Sequence, residues 1–73
     1  MTPVQCRMAR AALNLGVIEL ADLAEVSTNT VTRFERGEQV KPSTIDRMRA
    51  ALEQAGVEFI PENGGGAGVR LKK

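Results

Sequence analysis

Apolar residues recur at intervals of three and four over the first three quarters of the chain and at intervals of two over the last quarter. The first rhythm predicts four helices, the second two short strands. Thr2-Pro3-Val4-Gln5 has the form of a helix start: a threonine N-cap, a proline in the first helical position, and a glutamine placed to close a capping box. The first helix runs from Pro3 to about Leu13. Val4, Met8 and Ala11 or Ala12 are predicted to face a core, with Gln5 and Arg7 looking outward. Asn14-Leu15-Gly16 breaks it, and Gly16 is expected to take backbone angles that other residues avoid.

A second helix, Val17 to Ala24, turns Leu20, Leu23 and Ala24 inward and Glu19 and Asp22 outward. Ala21 is small enough for two helices to cross closely there. Glu25-Val26-Ser27 forms a tight joint, and Ser27 is a good N-cap for a third helix from Thr28 to about Arg36. At 100° per residue, Val31 and Phe34 fall on one side of that helix and Asn29, Thr32, Arg33 and Arg36 on the other. Glu35 falls beside the inward stripe, so it is expected to be partly buried and to need a partner. Gly37 stops the helix, and Glu38-Gln39-Val40-Lys41-Pro42 is a loop. Ser43 is expected to cap a fourth helix, Thr44 to Ala55, with Asp46 in its first turn and Ile45, Met48, Leu52 and Ala55 as its buried stripe. Gly56 is the expected left-handed terminator.

Val57-Glu58-Phe59-Ile60 and Val69-Arg70-Leu71-Lys72 then alternate, joined by a glycine-rich connection. The alternative is that residues 61–73 form a disordered tail. A hairpin alone is marginal in water, so these strands must pack on the helices or pair with the same strands of another chain. The expected organisation is a mainly α, compact four-helix helix-turn-helix domain over residues 1–56. A short two-stranded β extension follows over residues 57–73, as a hairpin or as dimerisation strands.

At 73 residues the chain is expected to be one domain. It has no run of about twenty apolar residues and no charged-then-apolar leader, so a cytoplasmic protein without a membrane partner is expected. Cys6 is the only cysteine and there is no histidine, which excludes a disulfide framework, tetrahedral zinc sites and imidazole chemistry. Cys6 is expected to be a small buried thiol. Net charge is only +1, low for a chain that grips nucleic acid by bulk charge. Its distribution is uneven. Residues 17–27 carry Glu19, Asp22 and Glu25 and no cation, whereas residues 28–49 carry Arg33, Arg36, Lys41, Arg47 and Arg49 against Glu35, Glu38 and Asp46.

The third helix carries the candidate chemistry. Reading base edges in a major groove needs short polar side chains near a helix N-terminus and a guanidinium about one turn later. Thr28, Asn29, Thr32 and Arg33 supply that set, with Asn29 suited to adenine and Arg33 to guanine. Arg36, Lys41, Arg47 and the N–H groups at Ser43 and Thr44 are placed to hold phosphates, with Arg7 a weaker candidate. A polar helix face by itself is most often merely solvated. Catalysis is not expected. Glu19 and Asp22 have nothing basic beside them, Ser27 and Ser43 have no histidine to activate them, and the glycines at 64–68 lack the lysine and following helix of a phosphate loop. No metal, cofactor or small-molecule ligand is expected.

Leu20-Ala21, Val26-Ser27, Val31, Phe34-Glu35 and Gly37, followed by Ser43, Ile45 and Leu52, resemble the Cro/repressor-type (XRE-type) helix-turn-helix regulators over residues 4–56. The tail is a softer likeness to small single-domain members. The resemblance implies a lambda-repressor-like fold, Ser27, Thr28, Asn29, Thr32 and Arg33 facing the major groove, and a structural ion pair between Arg10 and Glu35. Two positions depart from the family: Glu25 stands where it usually has a glycine, and Val17 where it often has a phosphate-binding glutamine. The function this implies is sequence-specific binding of double-stranded DNA by a small transcriptional regulator. A homodimer through the tail would read half-sites about 34 Å apart. The alternative is a protein-interaction adaptor or antitoxin-like partner that retains the fold.

Overall fold

Four helices and a hairpin follow one another in the computed structural model, which describes residues 1–72. They are α1 (Pro3–Leu13), α2 (Val17–Ala24), α3 (Thr28–Glu35), α4 (Pro42–Ala55), β1 (Val57–Ile60) and β2 (Gly68–Leu71). Lys73, assigned to the tail above, lies outside the described residues. The mainly α fold with a small β extension is thus as the periodicities predict.

α1 opens with the expected capping box: the Thr2 hydroxyl accepts from the Gln5 N–H at 3.1 Å, and the Thr2 N–H donates to Gln5 Oε1 at 2.9 Å. Three helices then stop in the same way. After α1, α2 and α3 a residue of positive φ turns the chain back: Asn14 at 59°, Glu25 at 58° and Gly37 at 89°. The next N–H bonds the carbonyl five positions earlier, Leu15 to Arg10, Val26 to Ala21 and Glu38 to Arg33. These are Schellman closures, and each points the following segment back across the helix it leaves.

Several expectations are corrected. Asn14, not Gly16, takes the left-handed position. Gly16 is extended, and a Cβ there would meet Glu19 Oε1 at 2.5 Å, the atom that accepts the Gly16 N–H. α4 begins at Pro42 with Lys41 as its cap residue, so Ser43 is its second residue and not its N-cap. Pro42 takes the first helical position, and the Thr44 and Ile45 N–H groups bond the Lys41 backbone carbonyl, at 3.0 and 3.1 Å, with no side-chain cap. In α1 the buried residues are Gln5, Cys6 and Ala9, whereas Val4 is half exposed. In α2 the buried set is Leu20, Ala21 and Ala24, leaving Leu23 half exposed. Small residues at both contacts let the helix axes approach, which rotates the larger side chains to the rim. Ala55 of α4 is exposed, while Met48 and Leu52 are fully buried.

The core is one cluster of Cys6, Ala9, Leu20, Ala21, Ala24, Val31, Phe34, Met48, Leu52 and Val57. β1 and β2 are antiparallel, with Val57 opposite Leu71, Glu58 opposite Arg70, Phe59 opposite Val69 and Ile60 opposite Gly68. The alternation in the tail is spent on the protein's own helices: Val57 is fully buried, and Phe59 and Val69 pack against the cluster. Gln5 fastens the far end, its Nε2 donating to the carbonyls of Ile60 at 3.1 Å and Gly68 at 3.0 Å. That is why a glutamine on α1 is buried. Arg49 of α4 lies over the Phe59 ring, 5.3 Å from its centroid, a cation–π contact joining α4 to β1. Among the described residues no helix is long and apolar enough to cross a membrane.

Candidate nucleic-acid interface

α3 is held from behind. Val31 and Phe34 enter the core, and Glu35 is only 9% exposed. Arg10 of α1 meets the Glu35 carboxylate with two bonds of 2.7 Å, from Nε to Oε2 and from Nη2 to Oε1. The Cys6 thiol donates to Oε2 at 3.1 Å, and Arg7 donates to the Glu35 backbone carbonyl. Arg10 also reaches the Leu15 carbonyl at 3.3 Å. Three residues of α1 therefore converge on the last residue of α3, and the expected Arg10–Glu35 pair is present. Burial would raise the Glu35 carboxyl, but hydrogen bonds from Arg10 and Cys6, with the charges of Arg10 and Arg7, hold it below the usual carboxylate range. The hydrogen bond to Glu35 raises Arg10 further. Burial, then the neighbouring carboxylate, pushes the Cys6 thiol up to about 12. Cys6 is accordingly a fixed hydrogen-bond donor and not a nucleophile.

The opposite side of α3 faces solvent. Thr28, Asn29, Arg33 and Arg36 are exposed and Thr32 partly so. The side chains there are not equally free. Ser27 is the N-cap, its Oγ accepting the Thr30 N–H at 3.0 Å and lying 2.8 Å from Thr30 Oγ1. This occupies the hydroxyl assigned to a base edge, and Thr30, absent from the sequence reading, is its partner. The Thr32 hydroxyl donates back to the Thr28 carbonyl at 3.1 Å, as threonines inside helices commonly do, leaving its lone pairs and methyl outward. Thr28 and Asn29 at the N-terminal end and Arg33 one turn later remain the polar reach of the face.

The cations around it are paired. Arg33 Nε donates to Glu38 Oε1 at 3.3 Å and Nη2 to the Gln39 carbonyl at 3.2 Å. Arg36 lies 3.7 Å from the other Glu38 oxygen. Arg47, in the second turn of α4, donates to the Glu25 carbonyl at 3.0 Å and lies 3.7 Å from its carboxylate. It thereby places a cation at the C-terminal end of α2, the end at which the helix dipole favours one. Lys41 is exposed just before α4. At the opening of α4 the Thr44 N–H already bonds the Lys41 carbonyl at 3.0 Å and Pro42 has none. Of the N–H groups expected to hold a phosphate, only that of Ser43 is unspent by the helix. Arg7, the weaker phosphate candidate, is turned to Glu35. Glu38 was missed as a site residue because a charge beyond a helix end has no fixed angular phase. The available signal was Gly37, whose positive φ brings the chain back onto Arg33.

The fold and this face define a class only coarsely: a small helical domain with a hairpin, displaying one polar helix face that carries Arg33. Compared with models of known protein families and with curated proteins, the chain matches none.

Proposed function

We propose that the protein binds double-stranded DNA in a sequence-dependent manner, as a small transcriptional regulator, with α3 in the major groove. The observation that carries this reading is the asymmetry of α3. Its inner side is locked by Val31, Phe34 and the Arg10–Glu35 pair, and Asn29 and Arg33 stand exposed on the other. A rigid, polar, solvent-facing helix of this kind is what base reading requires. Arg36, Lys41, Ser43, Thr44 and Arg47 flank it as phosphate contacts, Thr44 by its hydroxyl. The finer proposal is a homodimer on a near-palindrome. With Val57, Phe59 and Val69 turned inward, Leu71 and the outer strand edges are what the tail offers a second chain.

A second reading, a protein-interaction adaptor, is favoured by one observation: Arg33, Arg36 and Arg47 each face a carboxylate of the same chain. Selection from a pool of random duplexes, followed by affinity measurement against salt, separates the two. A DNA reader returns a defined sequence whose affinity falls steeply as salt rises, and Arg33→Ala relaxes preference at one base pair, costing about 2 kcal/mol there. A homodimer returns that sequence twice, with half-sites about 34 Å apart. An unselected pool and a flat salt dependence would refute the DNA reading.

A further inference from the structure

The chain leaving α3 is folded back onto Arg33, on the exposed face of the helix. Gly37, at φ 89°, closes the helix so that the Glu38 N–H bonds the Arg33 carbonyl at 3.0 Å. The Glu38 carboxylate then meets the Arg33 side chain, at Nε, and the Gln39 carbonyl accepts from Nη2. Backbone and side chain of residue 38 are thus both registered on residue 33. We infer that Glu38, with the Gln39 carbonyl, is a positioning device that holds Arg33 in the orientation for reading guanine, an inference that rests on the DNA-binding function proposed above.

A guanidinium has five N–H donors. Nε and one proton of Nη2 are committed to the loop, which leaves two protons on Nη1 and one on Nη2. Guanine offers N7 and O6 side by side, and gripping both takes one donor from each of two nitrogens. An arginine already oriented loses less freedom on binding, so it distinguishes guanine from a base with one mismatched acceptor more sharply. The same carboxylate faces Arg36 and would stand close to phosphates, so it lowers attraction to DNA of any sequence. Glu38 therefore trades general affinity for discrimination.

The test compares wild type, Glu38→Ala, Arg33→Ala and the double variant on the selected duplex, on single-base variants of it, and on unrelated DNA. Glu38 is half exposed, so its substitution leaves the core intact. Glu38→Ala removes the acceptor at Arg33 Nε and is expected to reduce discrimination at the Arg33 base pair by about tenfold. It should raise affinity for unrelated DNA by about threefold, because a negative charge is gone. In the Arg33→Ala background the same change should leave discrimination where it was. Full discrimination retained by Glu38→Ala, with tighter binding to all DNA, would overturn the inference and leave Glu38 a simple counter-charge. A wild type without sequence preference would instead bring down the proposed function itself.

Discussion

Removing the Arg10 guanidinium should cost this domain about 3 kcal/mol, because it strands a buried carboxylate. Glu35 is 9% exposed, and Arg10 supplies both of its charged hydrogen bonds at 2.7 Å. After Arg10→Ala the carboxylate keeps only the Cys6 thiol, and Arg7 stays on the backbone carbonyl. Neither restores a paired charge. A chain of 73 residues is expected to have a stability of about 4–11 kcal/mol, so the loss is a large share of it and lowers the melting temperature by about 12–24 °C. Urea unfolding followed by helical circular dichroism, repeated between pH 7 and pH 4, also tests the cause. In the wild type the folded Glu35 titrates below its unfolded value of about 4.3. Its contribution is complete above that value and is lost as the pH falls through the folded one. In the variant, burial is no longer outweighed and the folded carboxyl titrates above its unfolded value, so acidification stabilises it. The gap between the two proteins should narrow from pH 7 to pH 4. Replacing both partners, Arg10→Met with Glu35→Leu, should recover most of the loss, since no charge is then left buried. An Arg10→Ala protein as stable as wild type, or a gap independent of pH, would refute this account.

Two other substitutions probe the backbone and the tail. Glu25→Gly relieves a left-handed residue at φ 58°, worth about 1–2 kcal/mol, against about 0.5–1 kcal/mol for the extra freedom of glycine in the unfolded chain. Arg47 keeps its bond to the carbonyl there, so a melting temperature a few degrees higher is expected, and a lower one would contradict the strain. Gln5→Ala removes the amide that joins α1 to both strands and should cost about 2 kcal/mol. Urea unfolding and faster proteolysis within residues 61–67 would report it, and unchanged values in both would show the fastening to be idle.

Much of this fold is legible in short-range chemistry. Thr2 with Gln5, Ser27, Glu25 and Gly37 each mark a helix end through partners within a few positions, and all four lie where the pattern predicts. Val31, Phe34 and Glu35 were readable from angular spacing alone, as was the polar side of α3. What escaped depends on how the elements pack and on the path of the loops between them. Gln5 looks like a solvent-facing residue until Ile60 and Gly68 stand beside it. Leu23 looks like core until Ala21 and Ala24 bring the helix close and turn it aside. The pairing of Arg33, Arg36 and Arg47 with carboxylates belongs to the loops after the helices, whose return path is set by single residues of positive φ.

The amide of Gln5 also sets an order of events. It sits in the first turn of the chain, yet two of its bonds are to carbonyls 55 and 63 positions later. During synthesis, which proceeds from this end, α1 can coil and α2 to α4 can gather while that side chain still points at water. The hydrophobic cluster likewise lacks Val57 until the strands arrive. A ribosome-bound fragment ending after α4 is therefore an open assembly with an apolar gap, and the two strands that emerge after it are the ones that shut it.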